Sequence, residues 1–238
     1  MRPCVVIPAY NEGAMVAAVV HATRTAQPDA TIVVVDDGSR DDTAARAAAA
    51  GAAVLSLPVN LGIGGAVQAG YRYALRAGCD VAVQVDGDGQ HDPAEIDRLL
   101  RPLVAGQADL VVGSRWLGRG SYAAAPDRRA GMRVLARLVA WRSGQRLSDT
   151  TSGFRAAGPR ALALFAEEYP TDYPEVETLV LAARRGLRVR EVPVQMRPRS
   201  SGRSSIDGLR SAYYMARVAS VLVLGATGAE PALVGVSR

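Results

Sequence analysis

The sequence predicts an α/β protein built on a Rossmann-like, mostly parallel sheet with helices on both faces. Three observations carry that expectation. Short apolar, β-branched runs alternate with segments of helical spacing through the first half of the chain, which is the pattern of successive βαβ units. The runs are apolar throughout rather than at every second residue, as in strands covered on both faces. A polar cluster follows most runs directly, and in open α/β sheets ligands gather beyond the carboxyl ends of the strands.

In chain order, the first strand is expected at Cys4–Pro8 and its helix at Glu12–Ala26. Thr31–Asp36 follows as a strand, then a helix over Asp41–Ala50 with Asp41 or Asp42 as N-cap and Gly51 as its stop. Ala53–Leu57 and Gly64–Ala77 make the third pair, closed by Gly78, and Val81–Val85 and Pro93–Val104 the fourth. A fifth strand, Asp109–Gly113, runs into Ser114 and Arg115. Beyond it the pattern loosens into helices near Arg128–Ser143, Pro159–Glu168 and Glu175–Arg185, a strand Arg188–Val194, a loop Arg197–Ser205 and an amphipathic helix Asp207–Gly225. The apolar part of that last helix is about eight residues long, against the roughly 20 that span a bilayer. A chain of 238 residues suits one domain, expected over residues 1–226 with a tail at 227–238.

Composition excludes disorder as the default: 49% of residues are hydrophobic and 21% charged. All 28 basic residues are Arg, whose planar guanidinium suits oxyanions. They are unevenly placed. Residues 1–114 carry 8 Arg against 13 Asp and Glu, and residues 115–238 carry 20 against 10. An acidic half suits a metal, and a basic half suits phosphate or an anionic membrane surface, or is simply a solvated basic face. Cys4 and Cys79 both open apolar runs, so buried free thiols and a reducing cytosol are expected. Asn11 and Glu12 interrupt the first apolar run, which speaks against a secretory signal.

The densest chemistry lies in Val81-Ala-Val-Gln-Val-Asp-Gly-Asp-Gly-Gln-His-Asp-Pro93. Asp86 and Asp88 stand two apart at a strand end, so both can face one side while Gly87 lets the backbone pass close to a ligand. Two adjacent carboxylates repel unless a cation sits between them. Mg²⁺ or Mn²⁺ fits, since such hard ions take one or two carboxylates with water and substrate phosphates, and Gln90 offers a further oxygen. A calcium loop fails, because His91 stands where Gly is required and Asp97 where Glu is expected. An Asx-type turn is the bland alternative.

The ordered set Pro8-Ala-Tyr-Asn-Glu12, Val35-Asp-Asp-Gly-Ser-Arg-Asp-Asp-Thr43, Asn60-Leu-Gly-Ile-Gly-Gly-Ala66, Asp86-Gly-Asp-Gly-Gln-His91 and Gly113-Ser-Arg115 resembles the family 2 glycosyltransferases of GT-A fold. Ser148-Asp-Thr-Thr-Ser-Gly-Phe-Arg155 and Arg199-Ser-Ser-Gly-Arg-Ser-Ser205 continue the likeness over roughly residues 3–215, nearest the dolichyl-phosphate mannose synthase and polyprenyl-phosphate glycosyltransferase branch. The resemblance implies an inverting, metal-dependent transfer of sugar from a nucleoside-diphosphate sugar, a UDP- or GDP-sugar. It implies nucleotide-sugar contacts at Pro8, Tyr10, Glu12, Asp36, Asp37, Gly62, Gly64 and Asp86, and Mg²⁺ or Mn²⁺ on Asp86, Asp88 and Gln90. Packing of helix on strand is the preferred role of the Asn60–Gly65 segment, with a nucleotide contact second. Asp88, Asp149, Arg115 and Arg203 are the catalytic candidates. Residues 1–114 would form the donor and metal half, 115–206 the acceptor half, and 207–226 the amphipathic helix.

The acceptor decides the rest. A hydroxyl needs a general base, for which Asp149, Glu175 and Glu177 are available. A lipid monophosphate needs none, being largely dianionic at neutral pH with a second pKa near ~6, and is held instead by Arg128, Arg199, Arg203 and Ser204, with Arg129 and Arg155 as further candidates. The resemblance favours a polyprenyl phosphate. Two departures bear on this: Ser205 stands where many relatives place Lys, and the C-terminal transmembrane helices of several are missing. The expected setting is cytoplasmic, with peripheral attachment to the inner face of the membrane through Tyr213, Tyr214, Met215 and 218–224; the same face suits a homodimer or the sheet. Nucleic acid is not expected as a partner. The rivals are transfer to a saccharide, small-molecule or protein hydroxyl, and a non-catalytic sugar-nucleotide-binding subunit. A Rossmann dehydrogenase is excluded, because Tyr10-Asn11-Glu12 stands where its glycine fingerprint belongs.

Overall fold

The computed structural model of the chain describes residues 1–117 and 126–197, the side chains of 126–132 and 142–143 excepted. Its strands are β1 (Pro3–Ala9), β2 (Thr31–Asp36), β3 (Ala53–Ser56), β4 (Val81–Gln84), β5 (Leu110–Ser114), β6 (Arg155–Ala157) and β7 (Val189–Pro193). The α-helices are α1 (Val16–Ala26), α2 (Thr43–Ala49), α3 (Gly62–Arg76), α4 (Ile96–Val104), α5 (Pro126–Ser143), α6 (Pro159–Glu167) and α7 (Pro174–Arg184), with a 3-10 turn Pro93–Glu95 before α4. The seven strands form one sheet in the order β3-β2-β1-β4-β6-β5-β7. Every pairing is parallel except those of β6, which lies antiparallel between β4 and β5.

The α/β expectation holds, and β6 is the element it missed. Three residues are too few to show periodicity, and the strand opens on a charged residue, Arg155. That guanidinium is 1% exposed and fully occupied by polar groups. Its Nε donates to Ser152 O at 2.7 Å and its Nη1 to Thr178 Oγ1 at 2.6 Å, while Nη2 reaches the carbonyls of Thr150 and Glu175. Arg155 is therefore a cross-brace between the 150–152 turn and α7, which corrects its assignment to acceptor phosphate.

Alternate strand residues serve two cores. Cys4, Val6, Val33 and Val35 face α3, α5, α6 and α7, and Val5, Ile7, Ile32 and Val34 face α1 and α4. Both cysteines are buried free thiols, and burial beside Cys79 pushes the Cys4 thiol far up. Two helices start later than their periodicity suggests. Residues 12–15 form a turn that precedes α1, and Asp41 spends its carboxylate on Thr43 N at 3.1 Å ahead of α2. The expected loop 199–205, the helix 207–225 and the tail lie outside the described residues. Among the described residues no helix is long and apolar enough to cross a membrane.

At the foot of the sheet Asp109 accepts from Arg188 N at 2.8 Å and Nε at 3.1 Å, with Arg160 Nη1 at 3.3 Å. The Arg188 hydrogen bond foremost holds the Asp109 carboxyl below its ordinary value of 3.8. A depressed folded-state pKa gives stability that is present above the unfolded value and lost as pH falls through the folded one. Asp109→Asn is expected to lower the melting temperature at neutral pH, with the difference from wild type shrinking as pH falls below the ordinary value of 3.8 and toward the lower folded-state value. Thermal melts from pH 2 to 7 check this; a constant difference would contradict it.

Candidate active site

The rim of the site is set by strand register. Ala9 pairs with Asp36 and Val6 with Gln84, so β1, β2 and β4 end close together. Beyond the paired segment Val85 N still donates to Val6 O at 3.0 Å and Gly87 N to Pro8 O at 3.3 Å, so the acidic loop runs alongside the end of β1. A cleft of about 270 Å³ opens there, lined by Pro8, Tyr10, Glu12, Asp37, Gly62, Asp86 and Asp88 among others. Seven of the residues picked from sequence thus meet in one place.

Beside the cleft two loops are stitched together. Asn11 N donates to Ser39 Oγ and Arg40 N to Asn11 Oδ1, both at 2.9 Å. Glu12 N donates to Thr43 Oγ1 at 2.9 Å and Gly13 N to Asp41 Oδ2 at 3.0 Å. Asn11 holds φ 54°, the only non-glycine in the left-handed region among the described residues, a conformation Asn tolerates better than most. Tyr10, which lines the cleft, is 44% exposed.

Asp36 and Asp37 part company. Asp36 is buried and its Oδ1 accepts Ser39 N at 3.1 Å, a local turn away from the cleft, which corrects its assignment to the nucleotide. Asp37 lines the cleft, yet its two oxygens also accept Leu61 N at 2.7 Å and Gly62 N at 2.9 Å. It caps the start of α3 across the rim. Burial pushes its carboxyl up, the two amides pull it back, and Asp36 adds to the rise. Gly62 takes φ 79° beside the cleft, whereas Gly64 faces elsewhere: a Cβ there would come within 2.4 Å of Pro170 O. Gly64 is a packing contact with the 170–171 segment, so its nucleotide assignment is corrected too.

The acidic pair is held from several directions. Asp86 Oδ1 accepts from buried Gln84 Nε2 at 3.1 Å, two residues back on the same face of the strand. Asp86 N donates to His91 Nδ1 at 3.0 Å. A ring nitrogen that accepts carries no proton, so the imidazole hydrogen stands at Nε2, 3.6 Å from Asp86 Oδ2. The ring is 4% exposed and stacks on Phe154 at 4.8 Å. A Cβ at Gly153 would lie 3.0 Å from Gln84 Nε2 and 3.2 Å from Asp86 Oδ2, so only glycine leaves the carboxylate where it is. Asp88 Oδ1 accepts Gln90 N at 3.0 Å. Gln90 does not line the cleft; its carbonyl accepts Arg197 N at 2.8 Å, and Arg197 Nη2 meets Asp92 Oδ1 at 3.0 Å. The acidic loop is thereby pinned to the chain entering residues 198–205.

No group of three His, Cys, Asp or Glu side chains fit to hold a metal occurs among the described residues. Two carboxylates suit an ion that completes its shell with phosphate oxygens and water, the habit of Mg²⁺ and Mn²⁺ rather than zinc.

Arg115 and Asp149 form a closed pair. Nε donates to Oδ2 and Nη2 to Oδ1, both at 2.7 Å, and Arg115 N also reaches Oδ2 at 3.1 Å. Asp149 is fully buried. With both oxygens committed to a guanidinium it does not suit proton abstraction, which corrects the general-base reading; it orients Arg115. Behind it Glu191 of β7 accepts Ser148 N at 2.6 Å and Asp149 N at 2.7 Å, and burial pushes its carboxyl up. Glu191 and Gln84 were missed from sequence. The signal was there in Gln84, a polar side chain two residues before Asp86 in an apolar run. Glu175 remains near the reacting zone: burial raises its carboxyl, Arg155 opposes, and Asp86 and Arg115 push it in opposite directions. Arg128 lies in α5 with its side chain outside the described set, and Arg199, Arg203 and Ser204 lie outside the described residues.

Comparison with known proteins agrees with this architecture. The model of the family described as Glycosyl transferase family 2 matches residues 4–163. The undecaprenyl-phosphate mannosyltransferase of Micrococcus luteus is 34% identical over 224 residues, 87% of this chain and 88% of that protein. The polyprenol monophosphomannose synthase of Mycolicibacterium smegmatis is 34% identical over 228 residues, 92% and 86% of the two. Among solved structures, glucosyl-3-phosphoglycerate synthase of Mycobacterium tuberculosis, in complex with Mn²⁺, uridine diphosphate and phosphoglyceric acid, superposes with a TM-score of 0.70. It is 25% identical, with 100% of this chain and 82% of that one covered.

Proposed function

Since the chain belongs to glycosyl transferase family 2 and is a glycosyltransferase of GT-A fold, we propose that it moves a sugar from a UDP- or GDP-sugar to a polyprenyl phosphate with inversion at the sugar carbon. The observation that carries the reading is the cleft in which Glu12, Asp37, Tyr10, Asp86 and Asp88 meet at the strand ends. Two relatives, named an undecaprenyl-phosphate mannosyltransferase and a polyprenol monophosphomannose synthase and each matching more than four fifths of the chain, support the acceptor class. In this reading Tyr10 covers the base, Glu12 and Asp37 accept from base and ribose donors, and Asp86 and Asp88 hold Mg²⁺ or Mn²⁺. The ion, when bound, supplies charge neutralisation on the departing diphosphate. Arg115, fixed by Asp149, presents a rigid cation to oxyanions at the same rim. Displacement in line by a phosphate oxygen needs no proton removed, so the chain need only position Arg residues around it.

A second reading, transfer to a hydroxyl, is favoured by one observation. Glu175 has a carboxyl raised by burial and close enough to Asp86 to feel its charge, the state that suits a general base. A thermal-shift panel of nucleoside-diphosphate sugars with and without Mn²⁺, followed by transfer assays on a short-chain polyprenyl phosphate and on the matching polyprenol, separates the two. Metal-dependent stabilisation by one donor and product only from the phosphate support the proposal. Product from hydroxyl acceptors alone overturns it.

A further inference from the structure

Gln84 is the one polar side chain of β4, and it is buried among Val81, Ala82 and Val83. An amide in such an interior costs free energy unless it is hydrogen-bonded, and the partner of its Nε2 is Asp86 Oδ1 at 3.1 Å. The Asp86 side chain is 35% exposed, so the carboxylate is held from its dry side while it lines the cleft with the other. His91 Nε2 lies 3.6 Å from Oδ2, beyond hydrogen-bond reach. Oδ1 is thus engaged and Oδ2 is left for a ligand. Asp149 makes the contrast: both its oxygens meet a guanidinium, and Arg115 balances its charge. Asp86 meets an uncharged amide, and among the described residues it forms no ion pair with an Arg. A neutral donor fixes the direction of a carboxylate and leaves its charge to a cation.

We propose that Gln84 is a positioning residue for the divalent ion, its amide turning the Asp86 carboxylate so that Oδ2 and the full charge are left to the metal, with Gly153 keeping the room this needs. The inference rests on the metal reading of Asp86 and Asp88 and deepens it. A Cβ at Gly153 would lie 3.0 Å from Gln84 Nε2, 3.2 Å from Asp86 Oδ2 and 3.3 Å from Oδ1. Gly153 does not hold a left-handed φ, so what it supplies here is space. In sequence it stands between Asp149, which aims Arg115, and Phe154, on which the His91 ring stacks. One turn therefore sets both the metal carboxylate and the cation of the rim.

The test follows Mn²⁺ binding to the full chain by electron paramagnetic resonance, with Mn²⁺ alone and with UDP or GDP added, protein-free nucleotide serving as the blank. The wild type is expected to bind Mn²⁺, and Asp88→Asn to lose most of that binding. Gln84→Met keeps the shape of the side chain and removes the donor. It is expected to weaken Mn²⁺ binding about tenfold or more with its melting curve retained, a loss that a merely structural role would not produce. Gly153→Ala keeps the donor and crowds the carboxylate, and is expected to weaken binding in the same direction. A folded Gln84→Met protein that binds Mn²⁺ as the wild type does overturns the proposal; should that variant not fold, wild-type affinity in Gly153→Ala overturns it instead. The Asp88 variant separates the two readings. Loss there without loss in Gln84→Met leaves the metal reading standing and removes the role of Gln84, whereas a wild type that binds no Mn²⁺, alone or with either nucleotide, removes the metal reading and this inference with it.

Discussion

Replacing Asp88 by Asn is expected to lower sugar transfer on the order of 10³-fold while the fold stays intact. Asn keeps the side-chain oxygen that accepts Gln90 N at 3.0 Å and keeps the volume of a residue only 9% exposed, so what is lost is the charge. In the proposed site that charge divides the work of holding Mg²⁺ or Mn²⁺ with Asp86, and one carboxylate alone holds such an ion weakly. Initial rates across a Mn²⁺ titration, with a calorimetric melt as control, make the measurement. An unchanged rate at every metal concentration removes Asp88 from the metal assignment.

Asp149→Ala carries the larger structural cost. The Arg115 side chain is 14% exposed and Asp149 not at all, so removing the carboxylate strands a guanidinium in a nearly dry pocket. Breaking such a pair costs about 3–5 kcal/mol, a fall in melting temperature of roughly 10 °C for a domain of this size. Activity is expected to fall with it, because Arg115 loses the fork that aims it. The double variant Arg115→Met with Asp149→Leu separates the effects: an apolar pair of similar volume should restore most of the stability and none of the activity. Recovery of turnover in that double variant would reduce the pair to a structural brace.

The first five strands were legible because each is a short apolar run with a helical segment behind it, and pattern of that kind survives without tertiary knowledge. The rim carboxylates were legible for the same reason, since a polar residue directly after a buried strand has few places to go. What escaped was set by distant partners. Asp36 and Asp37 are neighbours in sequence, and nothing local says that one folds back on Ser39 while the other reaches across to Leu61 and Gly62. The Arg115–Asp149 fork joins residues 34 apart, and Glu191 acts on the same turn from 42 residues beyond it. Arg155 looked like a phosphate ligand because arginine suits phosphate; four polar partners inside the core gave it a different task.

The bonds that join Asn11, Glu12 and Gly13 to Ser39, Arg40, Asp41 and Thr43 make residues 11–13 and 39–43 one cassette. On the proposed donor site, recoding nucleotide choice by grafting either segment alone from another family member would cut across those bonds and leave amides without acceptors. Natural variation in donor choice would then reach such folds through paired exchange of both segments, and an engineer would have to transplant them together.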